Sequence, residues 1–450
     1  MVNRGPKTAP RRASFVTAVR SRMLGATLIV VEKSVSTCQR ILLIAIVCAI
    51  SGCSMKLGHQ PRQEVTSLYS ARSPEFQQSA GSLLGPNFVG GNSISTLVNG
   101  DEIFPAMLSA IHSARHSINL ETYIFWDGEI ARKFTVALSE RARAGVHVNM
   151  ILDAQGTQKM GIANKKQLQE AGVEIIKYHS VFWPDPRRYN KRTHRKLLII
   201  DGRIAFIGGV GIADQWAGDA DSTKHWRDNH YKVMGPVVAQ LQASFISNWI
   251  KTRGNMLHGD DYFPPLQDSG SLEAQVVRSG AHYENLDLLY LLAIASAKKS
   301  LRIENAYFLP DDLTRKELVA AAKRGAKVEI IVPGRKIDQK LVRAASRRRW
   351  PDLLKAGIKI YEYQPTMIHV KLMIVDDKFV SVGSGNFDNR SIRLNDEANL
   401  DVLDSDFAAQ QIHLFEIDKR RSREITPEEV GGFHLGNPLD QAATLLSPQL

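Results

Sequence analysis

Cysteine is scarce in this chain of 450 residues. The three cysteines that occur, Cys38, Cys48 and Cys53, lie near the N-terminus. The body of the chain therefore forms no disulfide, and cysteine-based metal sites and thiol catalysis are excluded from it. A long apolar run is missing as well. The run at residues 41–50 is too short to cross a bilayer as a stable helix, which takes about 20 residues.

Excess positive charge is small outside the N-terminal segment. The formal net charge is +12, but residues 1–52 hold eight Lys or Arg and one Glu and so account for +7 of it. The remaining residues carry +5, too little to indicate a surface that coats a polyanion. A local basic site for phosphate is sufficient to explain this charge. The length of the chain is suited to two domains.

The N-terminal segment has the order of features of an export signal. Arg40 precedes the apolar run, and the small residues Ser51 and Gly52 follow it. Small residues that end at Cys53 resemble the bacterial lipobox, in which the cysteine is lipidated and becomes the new N-terminus. We therefore predict a lipid anchor at Cys53, whose several acyl chains hold a protein at a membrane better than one chain does.

This anchor predicts a bacterial lipoprotein that is bound to a membrane and faces the periplasm. Residues 1–52 are then the leader, and the polar stretch 53–90 is a tether. An apolar anchor that is not cleaved is the alternative. A start at Met23 would give a leader of more usual length.

The body of the chain contains an internal repeat. Residues 113–121 match residues 296–304, and an aromatic pair follows in both copies. Residues 144–148 then match residues 324–328, and each series ends at a His-x-Lys motif. Because the order of features is the same, we predict two domains of one fold.

The period of the apolar residues switches within each copy. Alternation over residues 118–124 predicts a strand, the pattern from Glu129 to Ala144 predicts a helix that stops at Gly145, and residues 146–152 read as a buried strand. Strand–helix alternation predicts an α/β protein with a mixed, largely parallel sheet covered by helices. Two such α/β/α repeats, packed as a pseudo-two-fold pair, are expected at residues 91–255 and 270–425, followed by a tail at 431–450.

The pattern His-x-Lys-x-x-x-x-Asp occurs twice, once in each repeat. Its members are His194, Lys196 and Asp201 in the first copy and His369, Lys371 and Asp376 in the second. Residues two apart on a strand point to the same face, so each copy directs one imidazole and one ammonium into a cleft. Together the two copies supply two imidazoles and two ammoniums.

That set of groups is suited to phosphodiester exchange. Two ammoniums neutralise the non-bridging oxygens and the charge that develops on them. One neutral imidazole attacks phosphorus and forms a phosphohistidine, while the other donates a proton to the leaving oxygen and then activates an alcohol or water. No cofactor and no metal is required, because the lysines supply the charge. Which histidine attacks is left open by the residues.

Three further polar residues are candidates for this site. Asn386, in a Gly-Ser-Gly-Asn stretch, can donate to a phosphate oxygen, and a tight turn is the alternative. Glu397, and Asp228 in the first copy, can each place a carboxylate on the far nitrogen of a catalytic histidine, which fixes its tautomer. The alternative is that these carboxylates are ordinary surface or ion-paired residues.

These motifs resemble those of the phospholipase D superfamily, in its bacterial cardiolipin-synthase-like branch. The resemblance rests on both His-x-Lys motifs, the Gly-Ser-Gly-Asn stretch and the run from Trp226 to His230. It implies a phosphohistidine intermediate, one site between two repeats, and no metal. By the same resemblance, the two His–Lys pairs and Asn386 are catalytic or phosphate-binding, the motif aspartates are mainly structural, and His194 is the favoured nucleophile. One departure is Gly211, which stands where the family usually has Asn.

The expected substrate is a phospholipid, with phosphatidylglycerol favoured, at a membrane. A phosphatidyl group would pass to an alcohol, as in cardiolipin synthesis, or to water, as in a phospholipase D. A nuclease or other phosphodiesterase is the alternative, although the modest charge and the anchor count against it, because nucleic-acid binding rests on many phosphate contacts. A non-catalytic phospholipid-binding lipoprotein is a third possibility; Gly211 favours it, and the intact His–Lys pairs argue against it.

Overall fold

The computed structural model describes residues 68–179, 190–280 and 285–430. Within them, 15 strands are β1 (Val89–Val98), β2 (Ser117–Thr122), β3 (His147–Asp153), β4 (Glu174–Tyr178), β5 (Leu197–Ile200), β6 (Ile204–Gly208), β7 (Asn229–Met234), β8 (Leu272–Ser279), β9 (Ser300–Asn305), β10 (Lys327–Pro333), β11 (Lys359–Tyr363), β12 (Lys371–Val375), β13 (Phe379–Gly383), β14 (Glu397–Leu403) and β15 (Ser422–Glu424).

Helices connect and cover these strands. They are α1 (Pro74–Leu84), α2 (Asn99–Ser113), α3 (Glu129–Arg143), α4 (Ile162–Glu170), α5 (Val238–Arg253), α6 (Asn285–Ser296), α7 (Asp312–Lys323), α8 (Lys340–Arg347), α9 (Trp350–Lys355), α10 (Asn389–Arg393) and α11 (Ser405–Arg420), with 3-10 turns at Asp214–Trp216 and Pro427–Glu429. None of these helices is both long enough and apolar enough to cross a membrane.

The strands form one sheet with a repeated order. That order is β15-β11-β10-β9-β12-β13-β14-β8-β1-β7-β6-β5-β2-β3-β4, so β8 and β1 meet at the centre and equivalent strands follow outward on either side. This confirms the predicted mixed α/β fold of two similar repeats.

Most neighbouring strands in this sheet are antiparallel, in contrast to the expected largely parallel arrangement. Only the outer strands of each half, β2-β3-β4 and β9-β10-β11, pair in parallel. The strands that carry and follow each motif are hairpin partners, β5 with β6 and β12 with β13. Strand–helix alternation in the N-terminal part of each repeat does not reveal these hairpins, because they need only short turns.

A single asparagine fixes the junction of the two halves. β1 and β8 pair antiparallel through Val89 with Ala274 and through Asn92 with Leu272. The fully buried Asn92 side chain donates to the carbonyls of Val89 (2.7 Å) and Leu272 (3.0 Å) and accepts from the Val237 amide (2.8 Å). Its donors and acceptor therefore satisfy backbone groups that an irregular junction would otherwise leave unpaired.

The largest shared apolar core lies between the halves. Side chains of α5, such as Phe245 and Trp249, pack in one cluster with α11 residues such as Phe407 and Phe415. Two outer cores lie on the far sides, one in each half. The two repeats therefore bury apolar surface against each other, and burial of such surface is the main force that holds them together.

The individual strand and helix predictions in the first repeat are confirmed. The predicted strands at 118–124 and 146–152 are β2 and β3, and the predicted helix is α3. Gly145, expected to end that helix, has φ of +91°, which favours glycine.

Within the stretch 53–90, which was expected to be a tether, the described residues 68–90 are packed against the fold. Helix α1 lies within this stretch and buries Phe76, Ala80 and Leu84 against the core of the second half. Phe76 meets Phe379 edge to face, with ring centroids 5.1 Å apart. These apolar residues are few and spaced at i, i+4 and i+8, so the polar composition around them conceals the amphipathic face. The leader 1–52, the lipidation site Cys53 and the tail 431–450 lie outside the described residues.

We expect Phe76→Ala to destabilise the protein by about 3–5 kcal/mol, because it removes a fully buried ring and leaves a cavity. Denaturant unfolding followed by fluorescence measures the change. Leu83→Ala on the same helix is the control, since Leu83 is 58% exposed and its loss should be nearly neutral. Equal stability of the Phe76 variant and the wild type would show that α1 does not contribute to the fold.

Candidate active site

The two His-x-Lys motifs occupy equivalent places in the two halves. Lys196 immediately precedes β5, and Lys371 is the first residue of β12. Both strands are internal, each lying between two neighbours in the sheet. His194 and His369, two residues before these lysines, are both buried. The apolar run after each motif therefore forms a central strand that fixes the motif at the strand's N-terminal end.

The backbone of each motif pairs with the opposite half. The amide of His194 donates to the carbonyl of Asp396 at 2.9 Å, and the amide of His369 donates to the carbonyl of Arg227 at 2.7 Å. Both contacts belong to short parallel bridges just outside the named strands. The two histidines are thereby held by equivalent backbone bonds that cross between the repeats.

An ion pair anchors each crossing segment to a helix of the other half, and the one formed by Arg227 is buried. Arg227 pairs with Asp418 on α11, with Nη2 2.7 Å from Oδ2. At the equivalent place, Asp396 pairs with Lys251 on α5 at 3.4 Å and also accepts a hydrogen bond from Tyr178. The two anchors occupy matching helix positions with the signs of the charges reversed.

Each of the two histidines contacts a carboxylate from the opposite half. Nδ1 of His194 lies 2.9 and 3.0 Å from the two carboxylate oxygens of Glu397, and Nδ1 of His369 lies 2.9 Å from Oδ2 of Asp228. Each imidazole therefore donates from Nδ1 to a carboxylate of the opposite repeat. This fixes the tautomer that has its proton on Nδ1 and its lone pair on Nε2.

Neighbouring donors hold Glu397 in place. The hydroxyls of Ser384 and Ser391 donate to it at 2.5 and 2.8 Å, and Asn395 donates at 3.3 Å. Sequence reasoning assigned no role to either serine. The available signal was their position, since Ser384 lies in the Gly-Ser-Gly-Asn stretch and Ser391 follows it by seven residues.

Asp228 is held by different donors. Trp216 donates its indole N–H to Oδ2 at 3.0 Å, and the amide of Asn229 donates to Oδ1 at 2.9 Å. Trp216 also meets the ring of His369 edge to face at 5.4 Å, and Trp226 lies against it at 5.6 Å. Sequence reasoning missed the role of Trp216, because nothing in the repeat marks its position.

The lysines reach back over their own histidines. Nζ of Lys196 donates to the carbonyl of His194 at 2.6 Å, and Nζ of Lys371 donates to the carbonyl of His369 at 2.5 Å. Burial lowers the pKa of Lys196 to about 7 and that of Lys371 to about 8, although Glu397 and Asp228 oppose the shift. An anionic phosphate between the lysines would favour the charged form of both.

Charges from both halves act on both imidazoles. Burial lowers the pKa of His194 to about 4, against the effect of Glu397, and Lys196 and Lys371 lower it further. Burial also holds the pKa of His369 well below its ordinary value, and both lysines and His194 contribute. The four side chains therefore share one site, and both imidazoles are neutral near pH 7 in the free protein.

The two carboxyl groups differ in their electrostatics. Burial raises the pKa of Asp228 to about 6, against the lowering effect of Lys371. Burial alone would raise the pKa of Glu397 too, but His194, Lys196 and Ser384 hold it below its ordinary value. Glu397 is thus the more firmly ionised partner, and the histidine it serves retains more of its basicity.

Comparison with known proteins places this arrangement in a family. A family model described as "Cardiolipin synthase, PLD-like domain" matches residues 107–249 and 290–419. The chain belongs to this family. The match covers most of both repeats and confirms the predicted membership of the phospholipase D superfamily.

Curated relatives match over most of the chain. Cardiolipin synthase from Geobacillus thermodenitrificans is 36% identical over 336 residues, which are 74% of this chain and 67% of that protein. Cardiolipin synthase A from Pseudomonas fluorescens is 34% identical over 365 residues, 80% of this chain and 75% of that protein. These matches confirm the prediction of an enzyme of phospholipase D type that is a phosphatidyltransferase.

A solved structure shows the same fold. Phosphatidylserine synthase from Haemophilus influenzae superposes with a TM-score of 0.66 at 14% sequence identity, covering 84% of this chain and all of that one. The likeness at such low identity confirms the phospholipase D-like architecture of two packed repeats.

Gly211, which stands where the family resemblance led us to expect Asn, has no room for a side chain. A Cβ atom at Gly211 would lie 2.8 Å from Cβ of Ile124 and 3.2 Å from the ring of Trp216. In the second half, Asn386 occupies the equivalent place; it is buried, and its Oδ1 has no hydrogen-bond partner among the described residues. Its predicted role as a phosphate ligand stays a prediction.

The two motif aspartates lie at the far end of the motif strands from the histidines. Asp201 accepts from the amides of residues 115–117, at 2.7–2.9 Å, and Asp376 accepts from the amides of residues 298–300, at 2.7–3.1 Å. Each therefore ties the end of its own strand to the turn that begins β2 or β9.

We expect Asp228→Asn to lower kcat by about a hundredfold to ten-thousandfold, because an amide at this position no longer fixes the Nδ1–H tautomer of His369. Steady-state transfer kinetics measure the loss, and histidine NMR shows whether the tautomer of His369 has changed while that of His194 has not. Asp101→Asn, an exposed substitution on α2, is the control. A tautomer change at His194 instead would contradict the exchanged pairing.

Proposed function

We propose that this phosphatidyltransferase makes cardiolipin from two molecules of phosphatidylglycerol, with release of glycerol. The observation that supports the proposal most is the buried site of two neutral imidazoles and two ammoniums, assembled from both repeats. The two relatives described above are cardiolipin synthases. Burial of both histidines also limits access of bulk water, which favours transfer to an alcohol over hydrolysis.

The first step forms a covalent intermediate. Nε2 of one histidine, with His194 favoured by family resemblance, attacks phosphorus while Glu397 stabilises the positive charge that develops on the ring. The bond from phosphorus to the glycerol oxygen breaks, and that oxygen takes a proton from the other histidine, His369. The ring of His369 takes up this proton from solvent when the bound phosphate anion favours its charged form. Lys196 and Lys371 neutralise the non-bridging oxygens.

The second step restores the enzyme. The hydroxyl of the acceptor glycerol gives its proton to Nε2 of His369 and its oxygen attacks phosphorus. The bond between phosphorus and His194 breaks, and the product is a diester of the acceptor. Asp228 stabilises the imidazolium of His369 that is regenerated.

Purified protein supplied with phosphatidylglycerol vesicles should yield cardiolipin and glycerol, detected by mass spectrometry of the lipids and an enzymatic glycerol assay. His194→Ala and His369→Ala should each lower turnover at least about a thousandfold, since each removes a group used in both steps. His147→Ala, on an exposed histidine that begins β3, is the control.

Other products would identify other functions. Phosphatidic acid in place of cardiolipin would indicate hydrolysis, and fragments from single- or double-stranded DNA would indicate a nuclease. Full activity of either histidine variant would remove that residue from the mechanism.

We also propose that the protein is a lipoprotein that is held at the membrane through Cys53 and faces the periplasm. The support is the short apolar run followed by Ser51 and Gly52. In a bacterial host, radioactive palmitate should label the wild type and Cys38→Ala but not Cys53→Ala. Labelling of the Cys53 variant at the level of the wild type would contradict the anchor.

A further inference from the structure

Two arginines from different halves come together beside the first motif. Arg192 lies two residues before His194, and Arg390 belongs to α10 of the second half. The guanidinium of Arg390 crosses to the first half and donates to the side chain (2.6 Å) and the carbonyl (3.2 Å) of Asn190. Arg390 is therefore held by Asn190, a residue that lies two positions before Arg192 in the chain.

Tyr123 lies between Arg192 and the first His–Lys pair. Nη1 of Arg192 donates to its hydroxyl at 2.9 Å. The ring of Tyr123 meets the ring of His194 edge to face, with centroids 5.2 Å apart, and lies 5.7 Å from Nζ of Lys196. Arg192 therefore lies one side chain away from the first His–Lys pair.

The charge of the arginines is not matched by ion pairs. Among the residues that the structure describes, neither guanidinium lies within salt-bridge distance of a carboxylate, and Nε of Arg192 is buried without a hydrogen-bond partner. Asp153 and Asp388 act electrostatically on Arg390, but both carboxylates accept hydrogen bonds from backbone amides. Burial lowers the pKa of Arg390, and the charge of Arg192 adds to the shift.

The equivalent place in the second half carries the opposite charge. Tyr307 corresponds to Tyr123 and lies 6.1 Å from the ring of His369, but its hydroxyl donates to the carboxylate of Asp338 at 2.9 Å. An anion next to the reacting phosphorus is therefore attracted to the side of Arg192 and repelled from the side of Asp338.

We propose that Arg192 and Arg390 form a second anion subsite, which binds the phosphate ester carried by the acceptor. The inference rests on the proposed function, because only a transfer in which the acceptor is itself a phosphodiester brings two phosphates to one site. The two His–Lys pairs bind the phosphorus that reacts. Two half-buried guanidiniums that form no ion pair among the described residues are suited to the other phosphate, since arginine binds phosphate oxygens through paired N–H groups.

A partition experiment tests this subsite. Phosphatidylglycerol vesicles are supplied with ethanol, so that one phosphohistidine intermediate is divided between a phosphodiester acceptor and a neutral alcohol. The ratio of cardiolipin to phosphatidylethanol does not depend on the first step or on the fraction of folded enzyme. Arg192→Gln and Arg390→Gln should each lower this ratio about tenfold, the size expected for the loss of a charge-assisted hydrogen bond.

Matched variants sharpen the result. Arg132→Gln, on an exposed arginine of α3, should leave the ratio unchanged. Arg390→Lys should lower the ratio less than Arg390→Gln does, because the positive charge remains. A second arm with soluble glycerol 3-phosphate as the acceptor separates the two sources of phosphate. If the arginine variants lower the product ratio with both acceptors, the subsite recognises phosphate itself. If they lower the ratio only with phosphatidylglycerol as the acceptor, the subsite recognises the lipid headgroup.

An unchanged ratio in both arginine variants, in both arms, would overturn the subsite, even if total turnover fell. Failure of the wild type to form either cardiolipin or phosphatidylethanol would instead overturn the proposed function, so the two failures can be told apart.

Discussion

The exchange of carboxylates between the two repeats is the interaction on which the site depends. Glu397 of the second repeat holds His194, and Asp228 of the first repeat holds His369. A lone repeat would contain a histidine and a lysine but would lack the group that fixes the tautomer of the ring. The protein therefore has a complete site only when the two halves are packed together. Formation of the site thus depends on folding of the interface between the repeats.

Burial of so many ionisable groups is unfavourable unless each one is paired or hydrogen-bonded. The structure meets this requirement with hydrogen-bond donors around each carboxylate. In addition, the ion pair of Arg227 with Asp418 holds the segment next to Asp228. The charges of the two lysines are not fully compensated, as their lowered pKa values show. The site is thus organised for an anion that arrives with the substrate.

The two-fold symmetry of the backbone does not extend to the side chains. The space that a side chain at Gly211 would need is taken by Ile124 and Trp216, whereas the equivalent position in the second half holds Asn386. Tyr123 binds an arginine, and its counterpart Tyr307 binds an aspartate. Because the flanks of the site carry opposite charges, an anionic group beside the site would meet different surroundings on its two sides.

The sequence by itself determined the candidate catalytic residues and the strands that carry them, because the spacing of His194 from Lys196 and the apolar run after them are local patterns. It concealed the face of α1, whose few apolar residues lie among polar ones, and the antiparallel hairpins after each motif. Only the tertiary structure decided which carboxylate serves which histidine. The partners are 203 and 141 residues apart in the chain. Such pairings depend on how the surfaces of the two repeats pack, and the neighbouring residues in the sequence do not indicate this packing.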